Sequence, residues 1–148
     1  MLEVLDLAKS FGLQTIFTNF NLNLPQGRFT VLIGPSGCGK STLFDCLTGM
    51  ACPDQGWIVW QGNTITDLGS LAAYMQQKDM LLPWLTLEEN TLLPVQAKPR
   101  TRRDIKQAKE KLARIFEKIG LTGFETHYPR QVSGGMRQRC AMARTLMF

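Results

Sequence analysis

Long apolar runs are missing from this sequence, and so are most residues that bind metals. No stretch approaches the roughly 20 apolar residues that span a bilayer, so no membrane-crossing helix is expected. The most apolar segment, Phe29 to Ile33, stops at Gly34. The start, Met1-Leu2-Glu3-Val4, has no basic region followed by an apolar one. No signal peptide is therefore expected, and the default compartment is the cytosol. Histidine occurs once, at His127, and none of Cys38, Cys46, Cys52 and Cys140 forms a C-x-x-C pair. A zinc site is not expected, and unpaired thiols suit a reducing compartment. Repeats and low-complexity tracts are absent too. Aromatic residues are missing from most of the basic stretch between Lys98 and Lys118, which carries much of the net charge of +5. That stretch reads as a solvated helix face; the sharper reading is a nucleic-acid or membrane-surface patch. No aromatic is interleaved before Phe116, so the base-stacking part of the sharper reading fails, and no nucleic-acid partner is expected.

What is present suits a soluble α/β domain: 148 residues, 44% hydrophobic and 20% charged. Phe20, Leu22 and Leu24 alternate with Asn21 and Asn23, the period of two of a strand with one buried face. Pro25-Gln26-Gly27 is a turn signal. Phe29–Ile33 reads as a buried strand of a parallel sheet. Ser41 to Met50 reads as a helix closed by Gly49 and Pro53. Trp57–Trp60 is a further strand with a Gln61-Gly62-Asn63 turn, and Leu71 to Met75 is another strand candidate. Pro83 and Pro94 punctuate the middle. Thr101-Arg102-Arg103-Asp104 resembles a capping box. Ile105, Ala108, Leu112, Ile115, Phe116 and Ile119 then recur at helical spacing up to Gly120. Ser133-Gly134-Gly135 opens a last helix. The pattern predicts one α/β core with an inserted helical subdomain, divided at about residue 85 into a β-rich part, 1–85, and a helical part, 86–148.

Gly34-Pro35-Ser36-Gly37-Cys38-Gly39-Lys40-Ser41-Thr42 matches G-x-x-x-x-G-K-[ST]. Glycines let consecutive backbone N–H groups turn toward phosphate oxygens. The helix that follows adds the partial positive charge of its N-terminus. Lys40 is expected at the β- and γ-phosphates, and the Ser41 hydroxyl on Mg²⁺. The loop alone does not choose among kinases, GTPases and transport ATPases.

Val132-Ser133-Gly134-Gly135-Met136-Arg137-Gln138-Arg139 is a serine cap with two glycines at a helix start, which reads as an ordinary turn or as a second anion site. Taken with the first loop it closely resembles the signature sequence of ABC-transporter ATP-binding subunits, usually L-S-G-G-Q, with Val132 and Met136 as mild departures. Tyr128-Pro129 and Ala141-Met142-Ala143-Arg144 also look like that family. Tyr74-Met75-Gln76-Gln77-Lys78-Asp79-Met80-Leu81-Leu82-Pro83-Trp84 resembles its Q-loop region, with Gln77 at the glutamine position. The same run looks most like the importer branch for nitrate, sulfonates, taurine and pyrimidine precursors.

The resemblance implies a P-loop nucleotide-binding core of α/β class, with an antiparallel β subdomain and an inserted helical subdomain. It implies ATP and Mg²⁺ as cofactors. Phosphate contacts fall to Gly34, Ser36, Gly37, Cys38, Gly39, Lys40, Ser41 and Thr42. Ser41 and Gln77 go to Mg²⁺, with Gln77 also at the attacking water. Phe11 goes to the adenine, with Phe17 as the alternative. Ser133, Gly134 and Gly135 are implied to meet the nucleotide of a second ATP-binding subunit. Transmembrane permease subunits, touched through Leu82–Glu89, and indirectly a solute-binding protein complete the implied complex, at the cytoplasmic face of the membrane. The family's later motifs, the Walker B aspartate, the catalytic glutamate and the switch histidine, have no counterpart here; His127 precedes the signature. The expectation for these residues alone is little or no hydrolysis, an apolar edge exposed at Phe29–Ile33, and poor solubility. An inactive fragment that only binds nucleotide is the alternative. A soluble ABC ATPase of translation or repair lacks support, as no long insertion or tandem cassette is visible. A small-molecule kinase would not need Ser133–Gly135.

Overall fold

A computed structural model describes residues 1–97 and 101–148, with the side chain of Arg102 also outside the description. Lys98, where the basic stretch begins, lies outside the described residues. Two units, Met1–Ala72 and Ala73–Phe148, each have their own core.

In the first unit, β1 (Leu2–Phe11), β2 (Gln14–Leu24), β3 (Gln55–Trp60) and β4 (Asn63–Ile65) form an antiparallel sheet in the order β2-β1-β3-β4. The Gln61-Gly62 turn has both residues at positive φ, 51° and 84°, the twist that a two-residue hairpin requires. Helix α1 (Lys40–Thr48) buries Leu43, Cys46 and Leu47 in one cluster with Leu2, Val4, Leu7 and Ile58 of the sheet.

The inward set on β1 changes parity halfway. Leu2 and Val4 are buried, then Leu7, with Asp6 between them at φ 49°. Across the ladder Leu22 gives way to Phe20 and then Phe17, with Asn19 at φ 50°. These are matched bulges. Asp6 N–H donates to Asn21 Oδ1 and Asn21 Nδ2 to Asp6 Oδ1, both at 2.9 Å. On the other side β3 makes room with Gly56 (φ 91°), where a Cβ would stand 2.5 Å from Leu5 O and 2.6 Å from Asp6 O. Beyond the bulge, Lys9 pairs with Phe17, and Phe11 follows Lys9 on the same face at the strand's period of two.

Two expected strands are corrected. Phe29–Ile33 joins no hydrogen-bonded strand pair among the described residues. It keeps the strand's alternation: Thr30 and Leu32 line a recess with Leu22, Leu24, Leu43 and Leu47, while Phe29, Val31 and Ile33 are 105%, 75% and 88% exposed. An apolar run has the side chains of a buried strand, but a strand also needs a neighbour's N–H and C=O groups. The exposure expected for this stretch is thus observed, without the strand. Leu71–Met75 is likewise not a strand. Leu71 and Ala72 N–H donate to Leu68 O in a turn.

The second unit is helical. α2 (Leu87–Gln96), α3 (Arg102–Ile119) and α4 (Gly134–Leu146) enclose Leu87, Leu92, Leu112, Phe116, Leu121 and Cys140. α3 starts on the anticipated capping box, with Thr101 Oγ1 accepting from Asp104 N–H and Asp104 Oδ2 accepting from Thr101 N–H, and ends at Gly120 with φ 66°. Of its six apolar positions, Ile105 is 46% exposed, being in the first turn where the apolar stripe begins. Pro94 does not break the chain as the sequence suggested: it lies inside α2. The helix ends two residues later, so the missing N–H costs one bond near a terminus. The signal for α2 was Thr86-x-x-Glu89, a second capping box.

Candidate functional site

The loop Gly34–Gly39 enters α1 through Gly39, the helix N-cap, at φ 93° and ψ 4°. No side chain caps this end and no acidic residue sits in the first turn, so the helix presents its N–H groups and positive end uncompensated by a protein anion. Glycine is required at position 39 for two reasons. Its φ is left-handed, and a Cβ would lie 2.7 Å from Ile16 Cγ2 and 3.4 Å from Phe17 Cδ1. Strand β2 therefore presses directly on the loop. Lys40 Nζ folds back over it, donating to Gly34 O at 2.8 Å and Pro35 O at 2.7 Å, and lies 3.5 Å from Cys38 Sγ. Ser36, Gly37, Cys38 and Ser41 are exposed and Thr42 half-buried. A recess of about 160 Å³ adjoins, lined by Phe17, Phe20, Leu32, Cys38, Gly39 and Lys40.

A cation, a helix N-terminus and a hydroxyl at the second helical residue suit a chain of phosphates. Among the described residues no cluster of three His, Cys, Asp or Glu could hold a metal. The Ser41 hydroxyl fits Mg²⁺ only together with phosphate oxygens, which is how this small, hard ion commonly binds.

Of the two aromatic candidates, Phe17 touches the loop at Gly39. Phe11 is 54% exposed at the end of β1, with the Lys9 ammonium 5.2 Å from its ring centroid. Lys9 Nζ in turn meets Asp54 Oδ1 at 2.9 Å, and Ser10 N–H donates to Asp54 Oδ2. The bond to Lys9 first, and that from Ser10 second, hold the Asp54 carboxyl below its usual range; Asp54 raises Lys9 above its own.

In the second unit Ser133 caps α4, its Oγ accepting from Met136 N–H at 3.3 Å, and Ser133, Gly134 and Gly135 are exposed at the helix start. Gln77 is exposed in an irregular segment. That segment is tied to α4 two residues further on. Arg137 Nε donates to Asp79 Oδ2 at 3.1 Å, while Arg144 donates to Asp79 O and Met80 O, each at 2.8 Å. Arg137 and Arg144 are seven residues apart, hence on one face of the helix. The next turn, Leu82–Thr86, is held by Asn90, which is fully buried. Asn90 accepts from Leu82 N–H at 2.7 Å and donates to the carbonyls of Leu82, Leu85 and Thr86 at 3.0 Å. Trp84 stands on that turn, 68% exposed. The N–H and hydroxyl of Thr86 hold Glu89 below its usual value, and burial pushes the Cys140 thiol up, as it does that of Cys46 in the first unit.

No sequence pattern points to Asp54 or Asn90, and Asp79, Arg137 and Arg144 stand only inside the family-like runs, with no role of their own. The seven-residue spacing of the arginines was the one readable signal. Asp54 and Asp79 meet partners 44 to 65 residues away, which no local pattern identifies.

Comparison with known proteins places this geometry. Residues 17–148 match the family described as ABC transporter. An aliphatic sulfonates import ATP-binding protein, SsuB of Bacillus cereus, is 38% identical over 146 residues, covering 96% of this chain and 56% of that protein. The Fe(3+) ions import ATP-binding protein FbpC of Escherichia coli O157:H7 is 36% identical, covering 98% of this chain and 42% of its own length. The chain thus spans about half the length of these curated relatives. Among solved structures, the dimeric post-hydrolysis state of the ATP-binding cassette MJ0796, bound to ADP and Pi, superposes with a TM-score of 0.84 at 29% identity over 99% of this chain and 69% of that one. The chain belongs to the ABC transporter family and has the fold of its ATP-binding cassette.

Proposed function

We propose that this chain binds MgATP at Gly34–Thr42 and serves as the energy-coupling part of an importer. The observation that carries the reading is the loop itself: an uncapped helix N-terminus entered through a left-handed Gly39, with Lys40 folded over it. Lys40 would exchange its carbonyl contacts for β- and γ-phosphate oxygens. The Ser41 hydroxyl would hold Mg²⁺ beside those oxygens, where the ion neutralises phosphate charge. Phe11 would stack on the base. Gln77 is carried forward as the candidate metal and water ligand on the family resemblance alone.

Ser133, Gly134 and Gly135 offer a second exposed helix start, for the γ-phosphate held by another subunit. The Asn90-braced turn with Trp84 at its tip is the surface proposed to meet a permease at the cytoplasmic face of the membrane. The SsuB and FbpC likenesses support an importer; the sulfonate-type solute rests on SsuB. These 148 residues hold no run of four apolar residues followed by Asp-Glu. Nucleotide binding is the activity proposed for these residues.

The test is calorimetric titration with MgATP for the wild type and Lys40→Ala. Losing a charged hydrogen-bonding partner worth about 1.5–3 kcal/mol should weaken binding about 10- to 100-fold. Equal affinities would refute the assignment.

A further inference from the structure

Phe11 does not stand alone at the end of β1. The bulge at Asp6 sends Leu7, Lys9 and Phe11 to one face. It is the face on which Phe17, the cross-strand partner of Lys9, reaches Gly39 of the loop. The Lys9 side chain is only 12% exposed although Phe11, two residues on, is half open to solvent. Asp54 accounts for this. One carboxylate oxygen takes the ammonium, the other takes Ser10 N–H, and Asp54 N–H itself donates to Ala8 O at 2.9 Å. Three contacts from one residue on the approach to β3 thus lock the last residues of β1. They leave the Lys9 charge 5.2 Å from the centre of the Phe11 ring.

We propose that Asp54 and Lys9 are positioning residues for base recognition, in which Asp54 holds the Lys9 ammonium against Phe11 so that the ring accepts a purine. This rests on Phe11 being the base platform. A cation beside an aromatic ring draws its π electrons toward itself and fixes its tilt. A ring so polarised and immobilised is a better partner for a large, electron-rich purine than for a pyrimidine. Phe11 has no donor or acceptor for a base edge, and the Lys9 ammonium is directed at Asp54 and the Phe11 ring. These residues therefore select purine over pyrimidine and do not separate adenine from guanine.

The experiment measures dissociation constants for ATP, GTP, CTP and inorganic tripolyphosphate, all with Mg²⁺, on the full chain and on Asp54→Asn, Lys9→Met, Lys9→Arg and Phe11→Ala. Tripolyphosphate isolates the phosphate contribution, so the ratio of ATP to tripolyphosphate affinity reports the base. The ratio should fall about two- to fivefold in Asp54→Asn and Lys9→Met, and Lys9→Arg should retain it. The wild type should favour ATP and GTP over CTP. A fall in Phe11→Ala with none in Asp54→Asn or Lys9→Met overturns this proposal and leaves Phe11 as the platform. No fall in Phe11→Ala removes the platform, and the proposal with it. Should Asp54→Asn also lose tripolyphosphate binding, the disturbance is to the fold, and Lys9→Met, which keeps the Asp54–Ser10 bond, decides the matter.

Discussion

Asn90→Ala should loosen the turn that carries Trp84 by about 2–4 kcal/mol, a figure built from its bonds. The side chain makes four contacts, at 2.7 Å to Leu82 N–H and 3.0 Å to each of three carbonyl oxygens. Two of those carbonyls keep another donor: Leu82 O takes Leu85 N–H, and Thr86 O takes Asn90 N–H. Leu82 N–H and Leu85 C=O lose the partners they have. Both residues are half-buried, so water replaces those bonds only in part. A polar group left unsatisfied on burial costs about 1–3 kcal/mol, which for two groups in partial contact with solvent gives the lower part of the range. The cavity left by a fully buried side chain adds to it. Hydrogen exchange followed by mass spectrometry on peptides covering residues 81–96 reads this directly, because local opening free energies appear as protection factors. Protection should fall about 30- to 1,000-fold. Asn90→Asp is the companion variant. It keeps an acceptor for Leu82 N–H but sets a buried carboxylate against three carbonyl oxygens. Its carboxyl is therefore pushed up in the folded state, and its deficit should shrink as the pH is lowered through that raised value. A loss under about 0.5 kcal/mol in Asn90→Ala would refute the reasoning, since the bonds would then contribute nothing that water does not supply.

Gly39→Ala should weaken MgATP binding, since the new Cβ meets Ile16 Cγ2 at 2.7 Å and strains a left-handed residue by about 1–2 kcal/mol; calorimetry should show at least a severalfold rise in Kd. Gly56→Ala puts a Cβ within 2.6 Å of the Asp6 backbone, so the first unit should melt at a lower temperature, with proton shifts in β1 centred on the bulge. Glu89 has its carboxyl lowered by Thr86, so it stabilises the start of α2 above the ordinary glutamate value of about 4.3. That contribution is lost as the pH falls through the lower folded value. Amide protection at the start of α2 should therefore decline below about pH 4, and Glu89→Gln should flatten the dependence.

The parts of this chain readable in its sequence are those whose cause is local. Gly34 to Thr42 announces itself because phosphate binding needs glycines, a lysine and a hydroxyl at close fixed spacing. The Thr101–Asp104 box and Gly120 mark the ends of α3 because helix ends are satisfied by neighbours a few residues away. The hairpin at Gln61-Gly62 has the same character. Phe29–Ile33 shows where local reasoning stops: its composition suits a buried strand, yet pairing depends on a second segment that no local pattern can supply. Only the tertiary structure decided that Asp6 and Asn19 bulge together and aim Lys9 and Phe11 at one face, because a parity change in one strand holds only if both neighbours yield to it. Asp54 on Lys9, and Arg137 and Arg144 on Asp79, belong to the same class. Each joins residues between 45 and 65 positions apart, and such partners meet only after the cores around them have formed.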